Sequence, residues 1–437
     1  MADDAGGGVA RVPPPVGPEA VLAHLSPGAD VIVPLANGEP PALLDALESC
    51  HDQLSGVRVH QMHALQPRDY ISGKFPGQLS HVSYFLSEAT RPAYWAGQCD
   101  LVPNHFSEVP RILRAETRCD LVMARAAPPD RHGYFSLGTN ADYVASLIGQ
   151  VPFFLEVTEV MPRTFGENQI HHSQIVGWCE SDSPLSELQA KQPNGADQRI
   201  GDYVAERIGD GATIQVGIGA IPRAVISSLR DHRDLGVHTE LLSDGLMQLV
   251  EAGAVTGTRK QLRRHKVVTT FALGSRRLYD WLHENAAVEL LPVDWVNDPR
   301  VIARESDFAS VNATTEVDLM GQAASETIAG RYWSSSGGQA DFARGAMYSP
   351  GGKAFLTLRS TTSEGHSRIR PTLTEGSVVT TLKNTVDHVV TEWGVAELKG
   401  RSLADRAGAL VAVAHPDHRD WLESEGRRLG LTRRRHL

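Results

Sequence analysis

GATIQVGIGAIPRAVISSLRDH, residues 211–232, reads in order as a strand, a glycine turn and a helix. The β-branched and apolar run Thr213–Val216 suits a short buried strand. Gly217 and Gly219 break it, and Pro222 falls in the first helical turn, where a missing N–H costs little. DLGVHTELLSDGLMQLVEAG, residues 234–253, then repeats strand, turn and helix. A chain that alternates such units builds a parallel sheet with helices on its faces, so the class is α/β.

The alternation continues outward in both directions. Residues 29–38 (ADVIVPLANG) form a buried strand ending in a turn, followed by the helical PALLDALES. Residues 119–138 run as a strand into a Pro-rich turn and a hairpin-like return, and residues 151–162 supply another strand. Further on, residues 265–273, 353–360 and 386–394 read as strands. RSLADRAGALVAVAHPDHRDWLE has helical spacing at its start and end. Between the halves, residues 180–198 mix Ser, Pro, Gly and charge with little periodicity, as a linker does. The 437 residues exceed one ordinary core. The expected division is a flexible leader 1–18, an N-terminal α/β domain 19–185, a linker 186–198 and a C-terminal α/β domain 199–437.

Composition narrows the function classes. The chain is 41% hydrophobic and 22% charged, which suits a soluble globular protein rather than a disordered or fibrous one. Its formal charge of −10 gives no global footprint for nucleic acid. No apolar run approaches the ~18 residues of a membrane helix, and the N-terminus lacks the apolar segment of a signal peptide. Cys50, Cys99, Cys119 and Cys179 form no CxxC pair and read as reduced thiols of a cytoplasmic protein. The C-terminal arginines, Arg427, Arg428 and Arg433 to Arg435, read as a solvated tail.

Three segments can carry chemistry. Val216, Gly217, Ile218, Gly219 and Ala220 form a strand-to-helix turn whose N–H groups can approach an anion, aided by the helix N-terminus. The third glycine of a dinucleotide fingerprint and the Lys-Ser/Thr of a P-loop are both missing, so a plain tight turn remains the alternative. In LGVHTELLSDG a short strand delivers Glu240 at its C-terminal end, where open α/β sheets bind ligands; a helix-capping Glu is the alternative. Residues 312–345 are rich in small residues around Ser334-Ser335-Ser336-Gly337-Gly338-Gln339, and Glu316, Asp318 and Glu326 are acids that the spacing does not separate. There is no HExxH, no Cys/His zinc spacing and no GxSxG, which leaves no sign of a metal or of a hydrolase elbow. His132, after a double proline, reads as a hydrogen-bonded turn residue.

Taken together, nine stretches resemble the acetyl-CoA hydrolase/transferase family of class I CoA-transferases, nearest its 4-hydroxybutyrate CoA-transferase branch. They are PPDRHGYFSLG, MPRTFGENQIH, VGIGAIPRAV, LGVHTELLSDG, VNATTEVDLMGQ, GGQADFARGA, SRIRPTL, VTEWGVAELKGRSL and AHPDHR, in the family's order from about residue 80 to about residue 420. The resemblance implies two open α/β domains with the active site between them, and a homodimer. It implies Glu240 as nucleophile, with Asn312 and Gly338 in the oxyanion site. It further implies that Val216 to Ala220, Gly337 and Lys353 contact coenzyme A, which is a substrate here, with no metal. Three positions depart from the pattern. Arg223 stands in place of a common Asp and could meet a CoA phosphate, Ser335 replaces a Gly, and Trp393 replaces a Tyr.

The implied reaction is transfer of CoA from an acyl-CoA to a short-chain carboxylic acid, such as acetate, butyrate, 4-hydroxybutyrate or propionate. It runs as a ping-pong through a glutamyl-CoA thioester. A glutamate of ordinary pKa, ~4.3, is ionised at neutral pH and needs no general base. An acyl-CoA hydrolase using water as acceptor is the alternative, and a ligand-sensing α/β protein without a covalent intermediate is a further one. No nucleic acid or membrane partner is implied.

Overall fold

The computed structural model describes residues 12–188 and 192–431. Its first half is built on β1 (Asp30–Val33), β2 (Val57–Met62), β3 (Leu79–Phe85), β4 (Asp100–Leu101), β5 (Leu121–Ala126), β6 (Phe153–Val157) and β7 (Ile175–Glu180). They form one seven-stranded sheet in the order β4-β3-β2-β1-β5-β6-β7, every pair parallel. Alternate residues feed two separate cores. Ile32 packs with Val122 and Leu155 on one face, while Val31 and Val33 pack with Leu121 and Met123 on the other. Burial on both faces is why these strands read as continuous apolar runs. Helix α1 (Pro41–Ser49) starts on a proline and buries Leu43, Leu44 and Leu47.

The second half repeats the architecture with β8 (Thr213–Val216), β9 (Gly236–Val237), β10 (Ala309–Ala313), β11 (Lys353–Thr357), β12 (His388–Thr391) and β13 (Gly394–Glu397). Their order is β9-β8-β10-β11-β12-β13, parallel except for the final antiparallel edge pair. Helices α2 (Gly195–Ala205), α3 (Ala220–Ser228), α4 (Asp244–Glu251) and α5 (Arg276–Leu282) bury Ile200, Val225, Leu246 and Leu278 in its core. Farther along come α6 (Val293–Val296), α7 (Gln339–Tyr348), α8 (Leu403–Ala412) and α9 (Pro416–Arg428). Arg427 and Arg428 end α9, and Arg433 to Arg435 lie outside the described residues.

The described parts of the expected leader and linker are held to the rest of the protein. Residues 1–11 lie outside the described residues, but Trp178 Nε1 donates to Pro13 O at 2.8 Å and Val16 N donates to Trp178 O at 2.9 Å. The stretch from Pro13 is therefore held to the first sheet. In the expected linker, Asn37 Nδ2 and Tyr279 OH both donate to Ser186 O. Asn194 caps Ala196 N and Asp197 N, while Asp197 bonds back to Asn194 N. This reciprocal cap starts α2 at Gly195, inside the polar stretch, because capping chemistry there outweighs the lack of apolar period.

The two halves share packing. Leu241, Phe271, Leu273 and Val293 from the second half belong to the same apolar cluster as Ile32, Phe135 and Leu155 from the first. The short strand Leu241–Leu242 pairs in parallel with Phe271–Ala272 and carries this joint. Residue 240 immediately precedes it.

Candidate active site

The chain order of the second sheet reverses between β8 and β10, which flank each other although β9 lies between them in sequence. Ligands in open α/β sheets bind at such a switch point, beyond the carboxyl ends of the strands. The turn Val216–Ala220 leaves β8 at this place. Gly217 N is fixed by Val311 O at 3.0 Å, and Ile218 beyond it is 47% exposed. Gly219 has φ of 122°, a conformation open to glycine rather than to residues with a Cβ. On the facing strand, Asn312 exchanges a reciprocal amide pair with Gln215, at 3.1 Å in both directions, and donates to Ser310 Oγ at 3.0 Å. Asn312 and the glycine turn are thus brought together, since a Cβ at Gly217 would sit 3.7 Å from Asn312 Oδ1.

Glu240 follows β9 and is anchored by its own carbonyl. Thr270 N, Phe271 N and Thr269 Oγ1 donate to it at 3.1, 3.1 and 3.0 Å. Its carboxyl receives two neutral donors: Asn297 Nδ2 at 2.7 Å on Oε2, and the backbone N–H of Gly338. The residue keeps partial exposure, but its carboxyl end is enclosed. Loss of water there outweighs both hydrogen bonds and raises the pKa from 4.5 to about 7. The ordinary value expected from the sequence therefore does not hold: Glu240 is only partly ionised at neutral pH.

Gly338 is the N-cap of α7, with φ of −93° and ψ of 2°, where any residue's backbone would fit. The need for glycine is steric, because a Cβ would run into both the Glu240 carboxylate and Asn297 Nδ2. Gly337 has φ of 54° and accepts a bond from Phe106 N at 3.1 Å, so the loop is docked on the first half. Asp341, in the first turn of α7, locks the same joint by accepting from Ser107 N and Oγ at 3.1 and 2.9 Å. Burial, with the Glu240 charge adding to it, lifts the Asp341 pKa to about 7. Ser335 and Ser336 carry enclosed hydroxyls with no protein partner.

Lys353 is placed elsewhere. It opens β11 level with Ala309, three residues before the level of Asn312, or ~10 Å along the sheet. Its Nζ donates to Arg207 O at 2.8 Å. The structure does not bring it to Glu240. Glu316, Asp318 and Glu326 serve local structure, accepting from Thr374, Gln322 and Thr380 respectively. His238, two residues before Glu240, is buried and bonded to Val296 O at 2.7 Å, and burial lowers its pKa to about 3. His132 is exposed and receives a bond from Arg131. Trp393 donates to Ser360 Oγ at 3.2 Å and meets the His415 ring edge-on.

Among the described residues no group of three or more His, Cys, Asp or Glu side chains is gathered to hold a metal. No described helix is long and apolar enough to cross a membrane. Asn297 and the Ser107–Asp341 lock are site elements that sequence reasoning missed. Asn297 stands in a Val-Asn-Asp-Pro turn after α6, and that pattern signals only a helix end.

Comparison with known proteins is consistent along the chain. Residues 16–204 match the acetyl-CoA hydrolase/transferase N-terminal domain, and residues 274–426 match the C-terminal domain of the same description. A succinyl-CoA:cyclohexane-1-carboxylate CoA transferase of Geobacter metallireducens is 41% identical, covering 94% of each chain. A 4-hydroxybutyrate coenzyme A transferase of Clostridium kluyveri is 40% identical over 93% of this chain and 96% of that one. The crystal structure of RipA from Yersinia pestis superposes with a TM-score of 0.90 at 34% identity, over 95% of this chain and 97% of the other.

Proposed function

Since the chain belongs to the acetyl-CoA hydrolase/transferase family, we propose that it is an acyl-CoA:carboxylate CoA-transferase that carries coenzyme A on Glu240. The observation that supports this most directly is the Glu240 carboxyl, enclosed and held by two neutral N–H donors, Asn297 and Gly338. Neutral donors orient a carboxylate without quenching it as a cation would, and they remain available when charge moves onto a neighbouring oxygen.

In the proposed cycle a Glu240 oxygen attacks the thioester carbonyl, the C–S bond breaks, and an acyl-glutamyl anhydride and CoA thiolate result. The thiolate then attacks the glutamyl carbonyl, expelling the first acid as its carboxylate and leaving a glutamyl-CoA thioester. A second carboxylate attacks that thioester, and the released thiolate takes the new acyl group, restoring Glu240. No proton, electron or phosphate is consumed. The Gly338 N–H faces the oxyanion formed on the glutamyl carbon, with the Asn312 amide as the proposed donor for the acyl oxygen. Loss of one such donor costs ~3 kcal/mol of barrier, or roughly 100-fold in rate. The turn Val216–Ala220, beside Asn312, is proposed to hold the coenzyme, so that binding energy from its distant parts is used at the reacting carbon. Gly337 and Lys353 remain proposed as further coenzyme contacts, Gly337 in the loop docked on Phe106 and Lys353 at the start of β11.

The proposed acids are short-chain carboxylates, with acetate exchanged for butyrate, 4-hydroxybutyrate or propionate, in a cytoplasmic homodimer. Incubation with acetyl-CoA should add the mass of CoA, less water, to a peptide containing Glu240, and borohydride should trap the same residue. Glu240→Ala should abolish exchange with a panel of acids. Near-normal exchange by that variant, or turnover without an adduct, overturns the proposal. A demand for the second acid before acetyl-CoA is consumed separates transfer from hydrolysis.

A further inference from the structure

Two arginines and two tryptophans interlock across the halves just before the loop that reaches Glu240. The strands Thr327–Ile328 and Arg331–Tyr332 form a hairpin closed by Ala329 and Gly330, whose φ of 50° and 73° suit a tight two-residue turn. The chain leaving this hairpin meets the short helix Arg91–Trp95 of the first half. Arg91 Nε donates to Trp333 O at 2.7 Å, and Trp95 Nε1 donates to Tyr332 O at 2.9 Å. Each arginine also covers a ring on the opposite segment. Arg91 lies 4.0 Å from the centre of the Trp333 ring, and Arg331 lies 3.9 Å from that of Trp95. A guanidinium over an indole face is attracted to it, and the two hydrogen bonds fix the register.

From Trp333 the chain runs through Ser334, Ser335, Ser336 and Gly337 to Gly338. Ser335, Gly337 and Gly338 are buried, and the Gly338 N–H donates to the Glu240 carboxyl. The loop is thus a cover on that carboxyl. It is fastened at one end by the interlock and at the other by the bond from Phe106 N to Gly337 O. We propose that the interlock of Arg91, Trp95, Arg331 and Trp333 selects the acceptor, holding the cover down so that a carboxylic acid, and not water, discharges the loaded Glu240. This inference rests on the transferase reading above. With the cover raised, a water oxygen bonds to the carbonyl carbon of the glutamyl-CoA thioester and the C–S bond breaks. One water proton goes to the departing thiolate and the other to solvent, which leaves free CoA thiol and the Glu240 carboxylate. Acyl activation is then lost instead of passed on. The four side chains touch no reacting atom and act as positioning residues.

Two substitutions test this. Trp95→Phe keeps a ring and removes the N–H that holds Tyr332 O, while Arg331→Gln removes one stacked guanidinium. Arg331 is exposed, so the second variant keeps the test open where the first disturbs folding. Each protein is loaded with acetyl-CoA and freed of small molecules. The CoA adduct on Glu240 is then followed by mass spectrometry in plain buffer and with acetate, which returns it to acetyl-CoA. Loss of one contact should raise the open fraction of the loop roughly fivefold to tenfold. We expect adduct lifetime in plain buffer to shorten by that factor, and the yield of free thiol relative to acetyl-CoA to climb with it. A merely structural role would leave that ratio where it is, so an unchanged ratio in both variants overturns the assignment. If the unsubstituted protein forms no adduct, the transferase reading fails. Hydrogen exchange at the amides of residues 334–340 then decides the interlock by itself: faster exchange in the variants sustains it, and unchanged exchange overturns it.

Discussion

At residue 240 two requirements conflict, and the compromise is measurable. The carboxyl must be enclosed to exclude water, yet enclosure disfavours the ionised form that attacks. With a pKa of about 7, the reactive fraction rises from roughly one-tenth at pH 6 to roughly nine-tenths at pH 8. The profile of kcat/KM against pH should rise through that range, whereas an ordinary glutamate would give a flat line. Asn297 donates to the charged form and so holds the pKa down. Asn297→Ala should move the midpoint of the profile upward and lower its plateau by ~10- to 100-fold. The same burial has a sign for stability. A carboxyl whose pKa is higher folded than unfolded favours the fold at low pH, and that contribution is lost as pH climbs from about 4.5 to about 7. Glu240→Gln should therefore leave stability nearly unchanged at pH 4 and raise it by up to ~3 kcal/mol at pH 8, read by denaturant titration at each pH.

Among the elements, the loop that ends in Gly338 and starts α7 sets the geometry at the carboxyl. Gly338→Ala keeps an allowed backbone but drives a methyl into Glu240 and Asn297. Exchange should fall by ~100-fold or more while thermal stability stays close to the parent, measured by steady-state rates and calorimetry. Much of this was legible beforehand. The strand, glycine turn and helix from Thr213 to Ser228 follow local rules of β-branching and glycine placement, and the structure has them where the sequence puts them. Glu240 at a strand end is local information as well. Asn297 and the Ser107–Asp341 bond are not, because each joins residues far apart in the chain through geometry that no spacing encodes. The placement of Lys353 likewise depends on strand register, which sets it at the opposite end of β11 from the level of Asn312. The cap at Asn194 was readable in principle, but the composition around it obscured the helix start.

For the whole molecule, the joint between halves is part of the site. Leu241, Phe271 and Val293 complete an apolar cluster that belongs mainly to the first sheet. A fragment ending at residue 194 would expose that face, and burial there is worth ~1.5–3 kcal/mol for each large side chain. Such a fragment should bind a hydrophobic dye and lose cooperative unfolding, whereas the full chain should do neither. The three donors that clamp the carbonyl of Glu240 have a kinetic corollary. With the main chain immobile, whatever is loaded at that point can travel only as far as three side-chain torsions permit. Entering and departing acids must then queue for one berth rather than occupy two, so each should act as a competitive inhibitor of the other's half-reaction.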